Sequence, residues 1–386
     1  MGTLEEYGFL NVELNESYSN LCEVIHKVIP KAKEIATLGK EQIVSKEKWR
    51  FLDRSLLRDG RYVGWHMGEL FREGTYGKIY KAFRMVVARR HDSLFDVAEA
   101  PHEVIVKQSS GSSSSVLPDD EVTAHTSEAL LHVLAWQTMQ KTVAPWSIPR
   151  PFEVFGDWDT AAAGWKSLSL CMSYVRGRTL YSYADKFWKR SSKAENARSF
   201  IEILAQVAFI LYHLQERLRL NHRDVKVNNI MVRTRKEPVI LTIGDAHMTT
   251  LFEVTLIDFG FACVGCPPPQ QPMTAFQAGS WFPMSEICCK VGRDIAQLLF
   301  CINCYFPLKE FLPKELFDLL HSRLQISWLG GMADLFNGFT KDGRPRPPSE
   351  SVEYNTGIYE FLRRSEVDPA ACAPLAIFRD CCEYAG

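Results

Sequence analysis

Apolar positions along the chain follow two different periods. From about residue 62 to 107 they recur in short, turn-punctuated runs, RYVGWHMGELFREGTYGKIYKAFRMVV and then EVIVKQ, which predict strands. Two more strands are predicted around IPRPFEVFGDW and KSLSLCMSYV. Between these groups lie QSSGSSSSVLPDDE, whose composition predicts a flexible surface loop, and SEALLHVLAWQTMQ, which predicts a helix. From 176 onward the pattern turns mostly helical. In ARSFIEILAQVAFILYHLQERL, residues Phe200, Ile203, Leu204, Val207, Leu211 and Leu214 take the i, i+3, i+4, i+7 spacing of a packed helix. That helix runs straight into a polar stretch, NHRDVKVNNIMV. Beyond it, VTLIDFGFA predicts a short buried strand ending in a turn, DIAQLLFCINCYF a thoroughly buried helix, and KDGRPRPPSE an exposed Pro-rich loop. No internal repeat is visible. Residues 1–60 read as an N-terminal helical extension, because Leu21, Val24, Ile25, Val28 and Ile29 fall at helical spacing before a break or kink at Pro30. Packing of this helix on the next domain is the first expectation, and docking of a partner the alternative.

Composition narrows the class. The chain has 386 residues, 46% hydrophobic and 24% charged, enough for a sizeable core in one bilobal domain or two domains. A formal net charge of -1 gives no global basic field, so no nucleic-acid partner is expected. No uninterrupted apolar run reaches the roughly 18–20 residues that cross a bilayer, so no membrane span is expected. MGTLEEYGFL lacks the basic and apolar blocks of a secretory signal, and Glu6 stands where a myristoylation signal at Gly2 wants Ser or Thr. The 11 cysteines are scattered, which reads as reduced thiols in a cytoplasmic protein.

The polar stretch after the long helix carries the candidate chemistry. Transfer of a terminal phosphoryl group needs an acceptor for the attacking hydroxyl's proton, cations near the phosphates, and oxygen ligands for magnesium. Asp224 supplies a carboxylate, Lys226 a cation two residues on, and Asn229 a hard amide oxygen. Alone, the stretch also suits a polar turn between buried elements. Asp258-Phe259-Gly260 follows 34 residues after Asp224, at the end of a predicted strand, and offers a second oxygen ligand. EGTYGKIYKA contains Gly74 and Gly77, which let backbone N–H groups approach phosphate oxygens, although a plain hairpin turn would look the same. Lys107 alternates with apolar neighbours in VIVKQ and, if buried, needs an acidic partner. Glu128 in the following helix is the first candidate and Glu121 the second.

Taken in order, REGTYGKIYKA, VIVK, HRDVKVNN and DFG resemble the eukaryotic-type protein kinase family, from about residue 62 to about 300. The resemblance implies an α+β, bilobal fold: a β-rich N-lobe at 61–175, a mainly helical C-lobe at 176–386, and ATP in the cleft. It implies that Gly74 and Gly77 lie over the ATP phosphates, that Lys107 holds the α- and β-phosphates while paired with Glu128, and that Asp224 is the catalytic base. Lys226 would sit near the γ-phosphate, and Asn229 and Asp258 would bind Mg2+. CMSYVRGRTL resembles the hinge, with Met172 as gatekeeper and the backbone of Ser173, Tyr174 and Val175 at the adenine edge. Asp294 in GRDIAQLLF resembles the aspartate that braces the catalytic loop. The lysine at 226 is similar to Ser/Thr kinases, which implies a Ser/Thr protein kinase acting on a protein substrate. The alternatives are a pseudokinase-type scaffolding module, against which the retained Lys107, Asp224, Asn229 and Asp258 argue, and a small-molecule kinase on the same fold, against which Lys226 argues.

The chain departs from that pattern in places. Arg72 stands where the family usually has the first glycine of its loop. VARRHDSLFDVAEAPHE makes the connection to Lys107 longer than a hairpin needs. AGSWFPMSE offers Pro283 and Glu286 as a poor substitute for Ala-Pro-Glu, which leaves the substrate class open. Compact divergent kinases of this type occur in large DNA viruses and in protists, so host cytoplasm or a virion also fits. Thr274 and Ser280 lie in the implied activation segment, and Arg223 would pair with a phosphate there. The pairs Cys263/Cys266 and Cys301/Cys304 have the spacing of a zinc site, but the second pair falls inside an apolar helix, where cysteine acts as a small hydrophobe.

Overall fold

The computed structural model describes residues 36–44, 47–52, 61–74, 77–90, 94–109, 116–266, 273–274, 287–327, 362 and 368–386. The chain divides into two compact units, one of Met1–Val133 with Pro149–Tyr174, the other of Leu134–Ile148 with Val175–Gly386.

The first unit is built on a closed barrel. Its strands are β1 (Ala36–Val44), β2 (Glu47–Leu52), β3 (Arg61–Gly74), β4 (Gly77–Arg90), β5 (Leu94–Gln108), β6 (Pro151–Asp159) and β7 (Gly164–Ser173). Neighbours run in the order β1-β2-β3-β4-β5-β7-β6, and a short parallel pairing of β1 with β6, Ala36 opposite Phe155, closes the ring. Residues 36–52 therefore correct the expectation of a helical extension over 1–60. Trp49 and Phe51 bury themselves against Met85 and Val87, an alternation that suits a strand and not a helix. The helix expected over 21–29 lies outside the described residues. The long connection before Lys107 lengthens one hairpin: β4 and β5 stay paired from Lys78–Gln108 to Arg90–Leu94. Register shifts on either side of Val86 explain why Arg84 through Val87 are all buried although alternation would expose every second residue. Inside the sheet, Arg84 forks onto Glu153, with Nε 2.9 Å and Nη2 2.5 Å from Oε1. Burial pushes the Glu153 carboxyl up, against the pull of Arg84. Helix α1 (Asp119–Gln140) follows β5, with Asp119, Asp120 and Glu121 in its first turn, where the helix dipole favours negative charge.

The second unit opens after the last turns of α1 with β8 (Arg178–Thr179) and α2 (Leu180–Phe187), capped by the Thr179 side chain. Its core helix is α3 (Lys193–Leu218), which begins at a reciprocal capping box between Ser192 and Glu195. Every residue of its predicted stripe is buried, as are half of the others, because α7 (Pro374–Ala385) and the hairpin described next pack against it. By length and composition α3 could cross a bilayer, but most of its apolar stretch is buried within the protein, as in a core helix. Arg219, at φ 47°, ends the helix in the left-handed conformation and returns its N–H to Gln215 O at 2.9 Å. Then come β9 (Leu220–Asn221), a long hairpin of β10 (Ile230–Ile243) and β11 (Ala246–Leu256), and the short strands β12 (Cys263–Val264) and β13 (Met273–Thr274). The sequence pattern after 176 predicted no such hairpin, because the middle of β10 breaks the apolar alternation: Arg233, Thr234, Lys236, Glu237 and Pro238 are all exposed. Helices α4 (Arg293–Tyr305), α5 (Leu308–Phe311) and α6 (Lys314–Ser327) follow, and α7 is the last helix among the described residues.

Candidate active site

In the first unit, Gly74 ends β3 and pairs with Gly77, which opens β4. Gly77 has φ 146°, and a Cβ there would lie 2.3 Å from Gln108 O, so β4 meets β5 at a place only glycine fits. Thr75 and Tyr76 lie outside the described residues, and Arg72 is exposed in β3. Lys107 projects from β5 toward α1, its Nζ 2.5 Å from Glu128 Oε1. Glu121, two turns earlier on α1, is exposed. His125 lies between them on the helix; burial, and then the charge of Lys107, pulls its imidazole down to about 4. Met172 is buried in β7 opposite Ile105. Ser173 donates its N–H to Arg150 O at 2.8 Å, and its Oγ accepts from Arg150 N. That amide is therefore engaged by Arg150, and of the Ser173 backbone groups the carbonyl is the one an adenine edge would meet.

In the second unit, the hairpin decides the geometry. Ile230 opens β10 directly opposite Leu256, which closes β11, so Asn229 and the Ile257–Asp258 step lie side by side. Ile257 N donates to Asn229 O at 3.0 Å. Two segments separated in sequence thus meet at the open end of one hairpin.

Asp224 is almost fully buried there. Lys226 Nζ lies 2.8 Å from its Oδ2 and 3.0 Å from its Oδ1, and Asn229 Nδ2 donates to Oδ2 at 2.8 Å and to the Asp224 carbonyl at 3.0 Å. Burial pulls Lys226 down, but the charges of Asp224 and Asp258 outweigh it and its pKa is raised, so it stays a cation. With both Asn229 amide hydrogens directed at Asp224, its oxygen faces the other way. Asp258 sits at φ 70° and accepts from Gly260 N at 3.3 Å. Arg223 is also left-handed, at φ 61°. Non-glycine residues hold such angles only where the surroundings over-determine them, and they gather at functional sites.

Those surroundings centre on Asp294 in the first turn of α4. Its Oδ2 accepts from His222 N and its Oδ1 from Arg223 N, both at 2.9 Å, and Asn221 Nδ2 lies 3.2 Å from Oδ2. Asn221 is fixed on its other side by Lys290, whose N donates to Oδ1 at 2.5 Å and whose O accepts from Nδ2 at 3.1 Å. Burial lowers the His222 pKa, with the nearby carboxylates opposing, so its ring is neutral. The network assigns Nε2–H as donor to Ile257 O at 3.1 Å, and Nδ1 as acceptor from Asp224 N at 3.3 Å. Arg223 Nε donates to Phe261 O at 2.6 Å. Asn221 and Lys290 were not singled out from sequence, since a backbone-to-amide clamp leaves no residue pattern.

The cysteines differ from the expectation of thiols throughout: Cys263 is bonded to Cys288. Cys263 is therefore not available as a thiolate partner of Cys266 for zinc. Cys301 is buried, and burial pushes its thiol up to about 12 against a hydrogen bond to the Val227 backbone. Thr274 lies on β13, while Ser280, Pro283 and Glu286 lie outside the described residues. A scan against protein-family models and a search of curated proteins both return no match.

The donor set of Asn229 and Asp258, one amide and one carboxylate oxygen, fits a hard cation such as magnesium, which takes one or two protein ligands and completes its shell with water and phosphate oxygens. What remains is a buried carboxylate whose oxygens face a cation and an amide, in a backbone clamped from below.

Proposed function

We propose that the protein is a kinase that transfers the γ-phosphoryl group of ATP to Ser or Thr hydroxyls of protein substrates. The observation that carries this reading is the Asp224 carboxylate, buried, paired with Lys226 and aligned by Asn229. A carboxylate so held can orient a hydroxyl and take its proton, because its position is over-determined and no side-chain reorganisation is needed during reaction. Lys226, kept cationic by its neighbours, offsets charge on the transferred group. Asn229 and Asp258 would hold magnesium, which supplies charge neutralisation between the phosphates. Lys107, ordered by Glu128, is suited to bind the remaining phosphates as a point charge. Gly74 and Gly77 would lie over the phosphates, where backbone N–H groups are the donors a phosphate oxygen accepts from.

Purified full-length protein with magnesium and γ-labelled ATP is expected to label itself or a generic protein on Ser or Thr. Asp224→Asn should lower the rate by at least a hundredfold while the melting temperature stays within a few degrees. Equal labelling by the wild type and Asp224→Asn would refute the base assignment. No labelling together with a nucleotide-induced rise in melting temperature would point to a binding module without catalysis.

A further inference from the structure

The Cys263–Cys288 bond lies outside the phosphoryl-transfer set but beside it. Cys263 in β12 pairs with Asn221 in β9, the residue directly before His222-Arg223-Asp224. Two residues beyond Cys288, Lys290 clamps the Asn221 side chain through both its N–H and its carbonyl. Between these points Gly265 passes so close to Cys288 that a Cβ would lie 2.3 Å from Cys288 O. The bond therefore ties together the two segments that hold Asn221 from its two sides.

We propose that Cys263–Cys288 is a reversible redox modification site that sets the order of the loop from Asn221 to Asn229, with a dithiol reductant as its chemical partner. It rests on the kinase reading only for its activity readout. Cys263 is 1% exposed whereas Cys288 is half-buried, so the reductant's thiolate attacks the Cys288 sulfur. A mixed disulfide forms there as the Cys263–Cys288 bond breaks, and Cys263 leaves as a thiolate that takes up a proton. The reductant's second thiol, once deprotonated, attacks its own sulfur in the mixed disulfide. Cys288 is released as a thiolate and protonated, and the reductant departs as a cyclic disulfide, two electrons having passed to the protein. The neighbouring Cys289 does not scramble the bond: burial pushes its thiol up to about 12, so it stays protonated. Reduction leaves Asp294 in place on α4 but removes the covalent support for the Lys290 clamp, so the loop loosens without unfolding.

The test uses the full chain purified without reductant. Alkylation and mass mapping should find a peptide pair cross-linked through Cys263 and Cys288, which dithiothreitol converts to two alkylated cysteines. On reduction, amide hydrogen exchange across 220–229 should accelerate at least tenfold, and reoxidation should restore it. Cys288→Ser should show the fast exchange from the start and no response to dithiothreitol. Phosphoryl transfer should fall severalfold in both the reduced form and the variant. Alkylation of both cysteines without reduction, or exchange across 220–229 unchanged by complete reduction, would overturn the proposal. Loss of exchange protection on reduction, in a protein that transfers no phosphate in any form, would support the switch and overturn the kinase reading.

Discussion

Replacing Asp294 by alanine removes the carboxylate under the candidate catalytic loop. Three buried donors converge on it: His222 N and Arg223 N at 2.9 Å, and Asn221 Nδ2 at 3.2 Å. Asn221 keeps Lys290 O as a second acceptor, so the two backbone N–H groups set the magnitude. Each buried donor left without its acceptor costs about 1–3 kcal/mol, which puts Asp294→Ala at roughly 4 kcal/mol of local stability. Asp294→Asn keeps one acceptor oxygen, so its cost is about half of that. Amide hydrogen exchange at His222 and Arg223 reads this directly. At about 1.4 kcal/mol per tenfold, both amides should exchange roughly a thousandfold faster in Asp294→Ala and about thirtyfold faster in Asp294→Asn. Phosphoryl transfer should fall in the same order. If the two amides in Asp294→Ala exchange within threefold of the wild type, the carboxylate does not hold this backbone, and the left-handed angle at Arg223 has another cause.

Two further outcomes follow from buried charge in the first unit. Arg84→Met leaves Glu153 buried without its guanidinium and should destabilise the protein by about 3–5 kcal/mol in urea denaturation; the double change with Glu153→Leu should recover most of this, and an equal loss in both would refute the ion-pair account. His125 is neutral in the fold, its pKa lowered from 6.5 to about 4, so the unfolded chain binds the extra proton first. Its contribution is intact above about pH 6.5 and is lost as the pH falls toward 4, up to about 3 kcal/mol. His125→Gln should flatten the stability profile across that window, and parallel profiles for the two proteins would count against it.

The candidate site residues were legible because their chemistry is local. A carboxylate, a cation and an amide within six positions of one another need no tertiary information to be seen as a candidate set. The helix before them was equally legible, since one packed face imposes a 3.6 period. The strands at 36–52 were not. They are short, and their pairing partners lie in β3 and, through closure, in β6, more than 100 residues away. Sequence put Glu128 ahead of Glu121 without deciding between them, because the Ser-rich loop before the helix blurs where it starts. The helix begins at Asp119, which puts Glu121 in an exposed first turn and Glu128 beside Lys107.

Chain order alone sets which groups are present and in what succession: Gly74 and Gly77, Lys107, Asp224, Lys226, Asn229 and Asp258. What each of them can reach depends on the fold. Antiparallel pairing of β10 with β11 brings Asn229 next to Ile257 and Asp258, because the ends of a hairpin meet whatever its length. Packing of α4 and of the turn before it against Asn221 supplies Asp294 and Lys290, and with them the backbone order that turns a polar stretch into a positioned carboxylate. The bond from Cys263 to Cys288 belongs to the same class: proximity in space that no spacing along the chain encodes.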